Sequence, residues 1–296
     1  HYPLRRQRQM CIRDRLYFTN ISTLFVDRGD GPVPEQSGTF NNISPVTNAL
    51  GIGNLQPEES DSLSLGLVWN GYEGLAITVD AFQIEIQDRI ILSGDVTPED
   101  SPAVADALAN TTAENARFFV NAVDTTTKGV DIVVTQQFDL GGYGDLKGQL
   151  AYGYNDTEID AINLPPLLDG LDDVLFDQEE QTRMTESVPK NSGSLGLTHE
   201  LGKWSSNIQF SYFGTYDIYY SSGTETYGPD WITDVTVNYQ WNDNLKISVG
   251  AQNLFSDYPD MRSEGNQFNG IFKYPLTNSP IGFNGGYFFT ELQYTF

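Results

Sequence analysis

Residues 231–251, WITDVTVNYQWNDNLKISVGA, decide the fold. Apolar or aromatic side chains fall at alternate positions of the first half: Trp231, Val235, Val237, Tyr239 and Trp241. Polar residues lie between them, and the alternation resumes at Leu245 after an Asn-Asp-Asn link. Because successive side chains of a β-strand point to opposite faces, this pattern predicts two strands, each with an apolar and a polar face, joined by a tight hairpin.

The same alternation recurs from residue 61 to the C-terminus, and the links between the segments alternate in length. Short links lie at 71–74, 141–145, 201–203 and 242–244, and long links lie at 93–117, 159–190, 218–229 and 253–284. The order holds if residues 118–139 form one long strand. Short turns at one end and long loops at the other are typical of a transmembrane barrel, whereas a soluble sandwich has no reason to sort them.

The sequence therefore predicts an all-β, antiparallel, up-and-down transmembrane β-barrel with nine strands between residues 61 and 296. Residues 16–60 are expected to hold a tenth strand, running upward at 16–26, followed by an extracellular loop. One helix is predicted at 97–110, where Thr97 fits the N-cap, Pro98 the first position and Asp100 the capping box.

Composition excludes several classes of protein. The chain has 16 Lys and Arg against 40 Asp and Glu, a formal charge of -24, which argues against binding nucleic acid through a basic face. No segment approaches the roughly 18 uninterrupted apolar residues of a membrane helix. A membrane strand needs only about 9–11 residues with alternate apolar positions, so the mean hydropathy of -0.35 is compatible with a barrel.

Residues 1–15 differ from the rest of the chain. They contain five arginines and the single cysteine, Cys11. The run at 7–15, QRQMCIRDR, resembles translated sequencing-adapter sequence, and the segment lacks the apolar core of a secretory signal. We therefore expect it to be non-native and exclude it from the fold prediction.

Five motifs resemble the C-terminal barrel of a TonB-dependent outer-membrane receptor. They are LQPEESDSLSLGLVW at 55–69, AITVDAFQIEIQDRI at 76–90, FVNAVDTTTKGVDI at 119–132, VGAQNLFSDYPD at 249–260 and FFTELQYTF at 288–296. Two positions depart from the family pattern: Asp131 stands where Glu is more usual, and Ser256 is inserted after the Asn-Leu-Phe element.

The resemblance implies active uptake of a scarce nutrient, such as a ferric siderophore, a vitamin or an oligosaccharide, across the outer membrane of a Gram-negative bacterium. It implies a barrel of about 22 strands, of which this chain would be a C-terminal fragment without the plug domain. It also implies contact with outer-membrane lipid, coupling to the inner-membrane TonB complex through a missing N-terminal region, and a periplasmic C-terminus. The barrel assembly machinery is expected to recognise the last strand through Phe288, Leu292, Tyr294 and Phe296. No catalytic role is implied.

Two clusters are candidates for ligand contact. Tyr216, Tyr219, Tyr220 and Tyr227 surround the 218–229 link, where aromatic faces and hydroxyl groups could bind a small-molecule substrate; outer girdle residues are the alternative, as for Trp231. Acidic residues crowd the 159–190 link, and Asp169, Asp172, Asp173 and Asp177 could hold Ca²⁺. Their spacing lacks the Asp-x-Asp-x-Asp pattern, and a solvated loop is the alternative. No other cofactor is expected. Acidic loops would also repel an anionic chelate, which favours a neutral ligand.

The remaining aromatic residues are expected to form two interfacial girdles: Trp69, Tyr152, Tyr154, Trp204, Tyr212, Tyr239 and Trp241. Two other classes of protein stay open, a passive porin or adhesin-like barrel and a secreted soluble β-sandwich that binds carbohydrate. Enzymatic chemistry is disfavoured. The neighbouring acids Glu179 and Glu180 would point to opposite faces of a strand, and His199 is the only histidine outside residues 1–15.

Overall fold

The computed structural model describes residues 18–27, 32–220, 222–267, 270–275 and 278–296, with the backbone alone at 24–27 and 32. The strands in these ranges are β1 Asn20–Asp27, β2 Pro32–Phe40, β3 Glu59–Tyr72, β4 Leu75–Leu92, β5 Asn115–Asp139, β6 Asp145–Ile162, β7 Asn191–Leu201, β8 Trp204–Phe213, β9 Tyr216–Tyr220, β10 Gly223–Tyr227, β11 Asp230–Gln240, β12 Leu245–Gln252 and β13 Tyr287–Tyr294. The same described ranges hold four short helices: α1 Pro45–Ala49, α2 Pro102–Leu108, α3 Asp172–Leu175 and α4 Gln178–Thr185. None of the helices in the described ranges is long and apolar enough to cross a membrane. Residues 1–15 lie outside the described residues.

Nine strands of the main sheet follow one another as they do in the chain: β3, β4, β5, β6, β7, β8, β11, β12 and β13. Pairing from β6 to β13 is antiparallel. β5 runs unbroken over 25 residues, which confirms the single long strand. Among the described strands, β3 and β13 each pair with one neighbour only, so the sheet is not closed. The predicted up-and-down meander of nine strands is confirmed.

The links between these strands alternate in length as predicted. Residues 73–74, 140–144, 202–203 and 241–244 form the short links, and residues 93–114, 163–190, 214–229 and 253–286 form the long ones. Gly74 and Gly202 have φ values of 73° and 59°, which a residue without a Cβ adopts at low cost in a two-residue turn. We call the two ends of the strands the short-link end and the long-link end.

The chain divides into two compact units. The core unit comprises His1–Ser62, Ile84–Thr126 and Thr157–Gln181, and the strand unit comprises Leu63–Gln83, Thr127–Asp156 and Thr182–Phe296. Strands β3, β4, β5 and β6 contribute residues to both units.

In the strand unit, register brings the alternate apolar residues of neighbouring strands into continuous rows. One row joins Leu197, Ile208, Val235, Ala251 and Phe288 through successive strand pairs. Many residues of this apolar face are exposed in the described part of the chain: Val249, Phe288 and Leu292 are 53%, 79% and 69% exposed, whereas Ala251 is buried. The apolar stripes therefore do not meet as the filling of a sandwich.

The opposite, polar face of the same strands is linked by side-chain hydrogen bonds. Asn207 donates to the Thr198 hydroxyl at 3.0 Å, and Asn238 donates to the Ser205 hydroxyl at 3.1 Å. Cross-strand polar pairs of this kind stabilise a sheet face that meets water or polar protein. The two faces thus differ as the sequence predicts.

Aromatic residues collect at both ends of the apolar face. Tyr212 packs on Trp231 at the long-link end, with ring centroids 4.7 Å apart. At the short-link end Trp204 packs on Tyr239 at 4.5 Å, and Trp241 lies edge-on to Tyr239. These contacts arise because the register pairs Trp231 with Tyr212 and Tyr239 with Trp204.

The core unit holds most of the buried apolar side chains. Leu50, Val96, Val104, Phe118 and Leu175 are all buried, and they come from the α1 segment, the 93–114 link, β5 and the 163–190 link. Buried Asn42 donates to the carbonyls of Gly53 and Phe119 at 3.0 and 2.8 Å. These segments therefore form a packed body, whereas the sequence predicts only a helix at 97–110 and the strand at 118–139 among otherwise extracellular loops.

Three of the family-like motifs, at 55–69, 76–90 and 119–132, meet at Asn121. Its amide nitrogen donates to the carbonyls of Gln56 and Asp88 at 3.0 and 2.7 Å. Its amide oxygen accepts from the Gln56 N–H at 2.8 Å. Asp88 has a positive φ of 54°, and its N–H is bound by Asp124 at 2.9 Å. The motif residues thus hold the backbone of β4, β5 and the 55–58 segment together.

Two local expectations differ from the structure. The strand expected at 16–26 lies at 20–27 and pairs with β2 in a hairpin, and β2 pairs in parallel with the first residues of β5. The helix expected at 97–110 begins later, because Ser101 is its N-cap and accepts the Ala103 N–H. Thr97 and Asp100 form a separate turn, since Pro102 has no N–H with which to continue a helix from Thr97.

Candidate ligand-binding loops

The β9–β10 hairpin carries the four predicted tyrosines. Register pairs Tyr216 with Tyr227, Tyr219 with Thr224 and Tyr220 with Gly223. Strand alternation then places Tyr216, Tyr220 and Tyr227 on one face of the hairpin and Tyr219 on the other. The structure brings three of the four tyrosines together and separates the fourth.

Tyr216 and Tyr227 form the buried base of this cluster. Each is 2% exposed, and their rings stack with centroids 5.5 Å apart. Burial raises the pKa of the Tyr216 phenol to about 12, against a smaller opposing effect of the Ser279 hydroxyl. Burial also raises the pKa of Tyr227, and the hydrogen bond to Glu225 adds to that shift. Both phenols are therefore neutral and fill space between loops.

Glu225 ties the hairpin to the 262–266 segment. Its carboxylate accepts from the Tyr227 hydroxyl, from the Asn266 amide at 2.6 Å and from the Ser263 N–H at 3.3 Å. Burial opposes the charge, but the hydrogen bonds from Ser263, Tyr227 and Asn266 lower the pKa of Glu225. The Arg262 guanidinium lies 5.4 Å from the Tyr220 ring centroid, a favourable cation–π distance.

Asp230 is a buried carboxylate at the start of β11. It is 8% exposed, and its Oδ2 has no hydrogen-bond partner among the described residues. Burial raises the pKa of Asp230, and the charges of Asp260 and Asp257 raise it further. Asp260 accepts the Gly228 N–H at 2.9 Å. This hydrogen bond keeps the Asp260 carboxylate near the start of β11, although its charge repels that of Asp230.

The Asn-Leu-Phe motif ends β12 in a tight turn. Asn253 has a φ of 49°, and its side chain bonds both the N–H and the C=O of Asp257 at 2.9 and 2.7 Å. Its own N–H donates to Asp234 at 2.8 Å. Ser256, the inserted residue, takes a φ of 60°, which is how the turn absorbs the extra position.

Three rings stack in the 253–286 link beyond this turn. Tyr274 lies between Tyr258 and Phe283, at centroid distances of 6.2 and 6.4 Å, with all three rings close to parallel. Gly285 has a φ of 70° and lies so close to the Tyr258 ring that no side chain would fit. The stack holds residues 280–285 over the end of the sheet.

A cavity of about 420 Å³ lies between these residues and the polar face. The polar face contributes Phe213, Asp234 and Gln252, and the link contributes Ile281 and Asn284. Its size falls within the range of small-molecule sites, about 300–1,000 Å³. The lining combines aromatic and aliphatic side chains with amides and one carboxylate, so it can both desolvate a ligand and hydrogen-bond to it.

The predicted calcium ligands are dispersed in the 163–190 link. Asp177 accepts the Glu180 N–H at 2.9 Å near the start of α4. Asp172 and Asp173 lie in the first turn of α3, and Asp169 follows a 3₁₀ turn. Within the described ranges no three His, Cys, Asp or Glu side chains group closely enough to hold a metal ion. The calcium site stays a prediction without a formed ligand set.

The predicted assembly signal lies on one face of the last strand. Phe288, Leu292 and Tyr294 share the apolar face through their pairing with Ala251, Ile247 and Leu245. Phe296 packs edge-on to Tyr294 at 5.1 Å. The residues are presented together, as the alternation at 288–296 predicts.

Sequence reasoning missed Glu225, Arg262 and Asn266. The contacts of Glu225 with Ser263 and Asn266, and of Arg262 with Tyr220, join residues 38 to 42 positions apart in links without periodicity, where no local pattern reveals a partner. The alternation at 231–241 places the acid Asp234 on the polar face and indicates nothing more about it. Its role in the cavity depends on the 253–286 link folding back over β11.

Comparison with known proteins places these features in context. Residues 15–254 match the family model described as "TonB dependent receptor-like, beta-barrel". No curated protein sequence matches the chain. Similar solved structures include a mutant ferric enterobactin receptor from Pseudomonas aeruginosa (15% identity, TM-score 0.55, 88% of this chain and 33% of that one). Others are the FrpB iron transporter from Neisseria meningitidis (13%, 0.54, 82% and 31%) and the pyoverdine receptor FpvA from Pseudomonas aeruginosa PAO1 (14%, 0.51, 94% and 33%). The chain spans about a third of the length of these structures.

Proposed function

Since this chain belongs to the TonB-dependent receptor-like β-barrel family, we propose that it forms part of an outer-membrane receptor that imports a metal ion or a metal chelate. The family is one of receptors and transporters, not of enzymes. The solved structures of similar fold concern iron, ferric chelates and copper. That shared chemistry favours a metal-containing substrate over a vitamin or an oligosaccharide.

One observation carries the membrane part of the proposal. The strand unit exposes a continuous apolar face, bounded by aromatic residues at both ends, while its other face is polar. In water such a face would be costly, at about 25 cal/mol per Å² of apolar surface. In a bilayer it contacts lipid, and the aromatic rings occupy the interfaces.

The sorting of links supports one orientation. In the strand unit, the 214–229 link carries Glu225 and the 253–286 link borders the 420 Å³ cavity, and in outer-membrane barrels the long loops face outward. The short-link end, with Phe296, is then periplasmic. Substrate capture would occur at the long-link end, and the assembly machinery would read the last strand from the periplasmic side.

Active transport requires parts of the receptor that this chain does not show. Energy from the TonB complex would act on a plug inside the barrel, and the polar face of β6 to β13 is suited to line that interior. A passive barrel would share the strands but not the energy requirement.

An uptake assay separates the two functions. Cells that produce the complete receptor are given radioactive iron or copper complexes, in paired strains with and without the inner-membrane coupling complex. We expect accumulation only in the coupled strain. Equal accumulation in both strains would show a passive pore, and no receptor-dependent accumulation in either would rule out the proposed substrate class.

A further inference from the structure

We infer that the cavity beneath residues 280–285 is a ligand subsite that receives an uncharged metal chelate and rejects an anionic one. The inference rests on the proposed function and narrows its substrate class. It is carried by the ionisable groups around the cavity and by the bonding of the nearby cations.

The described residues that line the cavity include one carboxylate and no basic side chain. Among them Asp234 is the only acid, and none is Lys or Arg. The Oδ1 of Asp234 accepts the Asn253 N–H at 2.8 Å, which fixes the carboxylate at the base of the 253–258 turn. An anion entering the cavity would lose water and meet this charge at short range, where screening by salt is weak.

The surroundings add to the negative field. The 253–286 link borders the cavity. Together with the 214–229 link and the first residues of β11 it holds seven acids and two bases: Asp217, Glu225, Asp230, Asp234, Asp257, Asp260 and Glu264 against Arg262 and Lys273. Asp230 lies on the same face of β11 as Asp234, and its Oδ2 is buried without a hydrogen-bond partner. A bound anion would therefore face Asp234, with Asp230 four residues away on the same face of the strand.

Two of the cations at this end of the strand unit, Arg262 and Lys190, already have partners, although the Arg262 Nε is buried without one among the described residues. Arg262 lies over the Tyr220 ring and contacts the Asn266 carbonyl. Lys190, on a neighbouring link, is bound by Asp156 at 2.9 Å and by Glu186 at 3.1 Å. Recognition of an anionic chelate relies on Arg or Lys donors, and in the described lining the donors are amides and hydroxyls instead.

An uncharged ligand meets complementary groups in the same space. Gln252 and Asn284 can each donate and accept, Asp234 can accept from a hydroxyl or amide, and Phe213 offers an aromatic face. Desolvating a neutral polar ligand is cheaper than desolvating an anion. The cavity thus favours a neutral ligand over an anionic one, both through its hydrogen-bonding groups and through the lower cost of desolvation.

Equilibrium binding to the intact purified receptor in detergent tests the inference without any need for transport energy. The probes are a ferric tris-hydroxamate complex, which is uncharged, and a ferric tris-catecholate complex, which is triply anionic. We expect the neutral complex to bind at least about tenfold more tightly. Saturable binding of the anionic complex with equal or greater affinity would overturn the inference, and so would the failure of the neutral complex to bind.

Two variants locate the effect. Asp234→Asn keeps the acceptor for the Asn253 N–H, and Gln252→Lys adds a cation while leaving Asp234 in place. Each should strengthen binding of the anionic complex at least about tenfold and change binding of the neutral one less than threefold. Asp243→Asn, an exposed acid in a short link, should change neither. Lack of response in both cavity variants would refute the assignment to this cavity.

The binding result and the uptake result can fail separately. Binding of the neutral complex without coupled uptake would contradict the proposed transport function and leave the subsite intact. Coupled uptake of the anionic complex in preference to the neutral one would contradict the subsite and leave the transport function intact.

Discussion

A lysine at Val235 should test which face of the sheet meets lipid. Val235 pairs with Ile208 on one side and Ala251 on the other, and it lies four residues from both Trp231 and Tyr239. At about 3.3 Å per residue and a strand tilt of about 40°, each aromatic residue is about 10 Å away along the membrane normal. Val235 is therefore near the midplane of the apolar band.

The cost of Val235→Lys follows from that depth. A lysine on the lipid face at the midplane costs about 2–4 kcal/mol, which corresponds to about a 30- to 900-fold change in the folding equilibrium. The matched control is Thr236→Lys, the next residue on the polar face, opposite Asn207. Thr236 is half-buried on the polar face, where a long lysine side chain can extend its charge into water, so the effect of Thr236→Lys should stay within about 0.5 kcal/mol.

Reversible denaturation of the intact receptor in lipid vesicles, followed by tryptophan fluorescence, measures both variants. The reasoning fails if Thr236→Lys costs as much as Val235→Lys, because the faces would then be equivalent. It also fails if Val235→Lys leaves stability within about 0.5 kcal/mol of the parent, since a charge at the centre of a bilayer cannot be neutral in cost.

Three further predictions concern the loops. Glu225→Gln should speed hydrogen exchange both at 223–227 and at 262–266, whereas Asp217→Asn, on the opposite face of β9, should not; a change in only one segment would contradict the link between them. Because the folded-state pKa of Asp230 is raised, the folded state holds its proton more tightly than the unfolded state, and this group's contribution to stability falls as pH rises above the ordinary Asp range. Asp230→Asn should therefore stabilise the receptor at pH 7 and flatten the pH dependence of unfolding above about pH 4; an unchanged pH profile would refute the assignment. Ser101→Ala should destabilise the core unit by about 1 kcal/mol through loss of the N-cap, which is measured as faster hydrogen exchange in α2. Thr97→Ala should have the smaller effect. The reverse order would contradict the observed helix start.

The strands were predictable because each carries its own evidence. Alternation at 231–251 indicates two strands and their faces, and the lengths of the links fix the direction of each strand. Even the 25-residue β5 follows from the requirement that short and long links alternate. Local periodicity is sufficient for such elements, since the side chains at every second position of a strand lie on the same face.

The long links were not predictable in the same way. Whether α2 begins at Thr97 or Ser101 depends on two Ser/Thr-Pro pairs that both resemble helix starts, and only the position of Pro102 decides between them. The hairpin of β1 with β2 depends on residues 32–40, whose two prolines, one serine and one glycine are typical of a loop. Tertiary contacts override the local preference of such segments.

The tyrosine cluster was predicted in composition and only partly in arrangement. Counting aromatic residues near 218–229 identified the right region, but not the second hairpin that turns Tyr219 away from the other three. The cavity could not be predicted, because its walls come from β8, β11, β12 and a link that returns about 50 residues later.

The core unit is completed by its last segment. The Gly94 N–H donates to the Leu175 carbonyl at 2.9 Å, and buried Leu168, Leu175 and Phe176 arrive in the chain long after Leu50 and Phe118. Contacts between residues so distant in sequence form slowly, because closing a large loop costs entropy before it is rewarded. During biogenesis the apolar side chains of the first two segments must therefore stay exposed until residues 163–181 are present. A chain that is cut before residue 163 would keep these apolar side chains exposed to proteases and to chaperones.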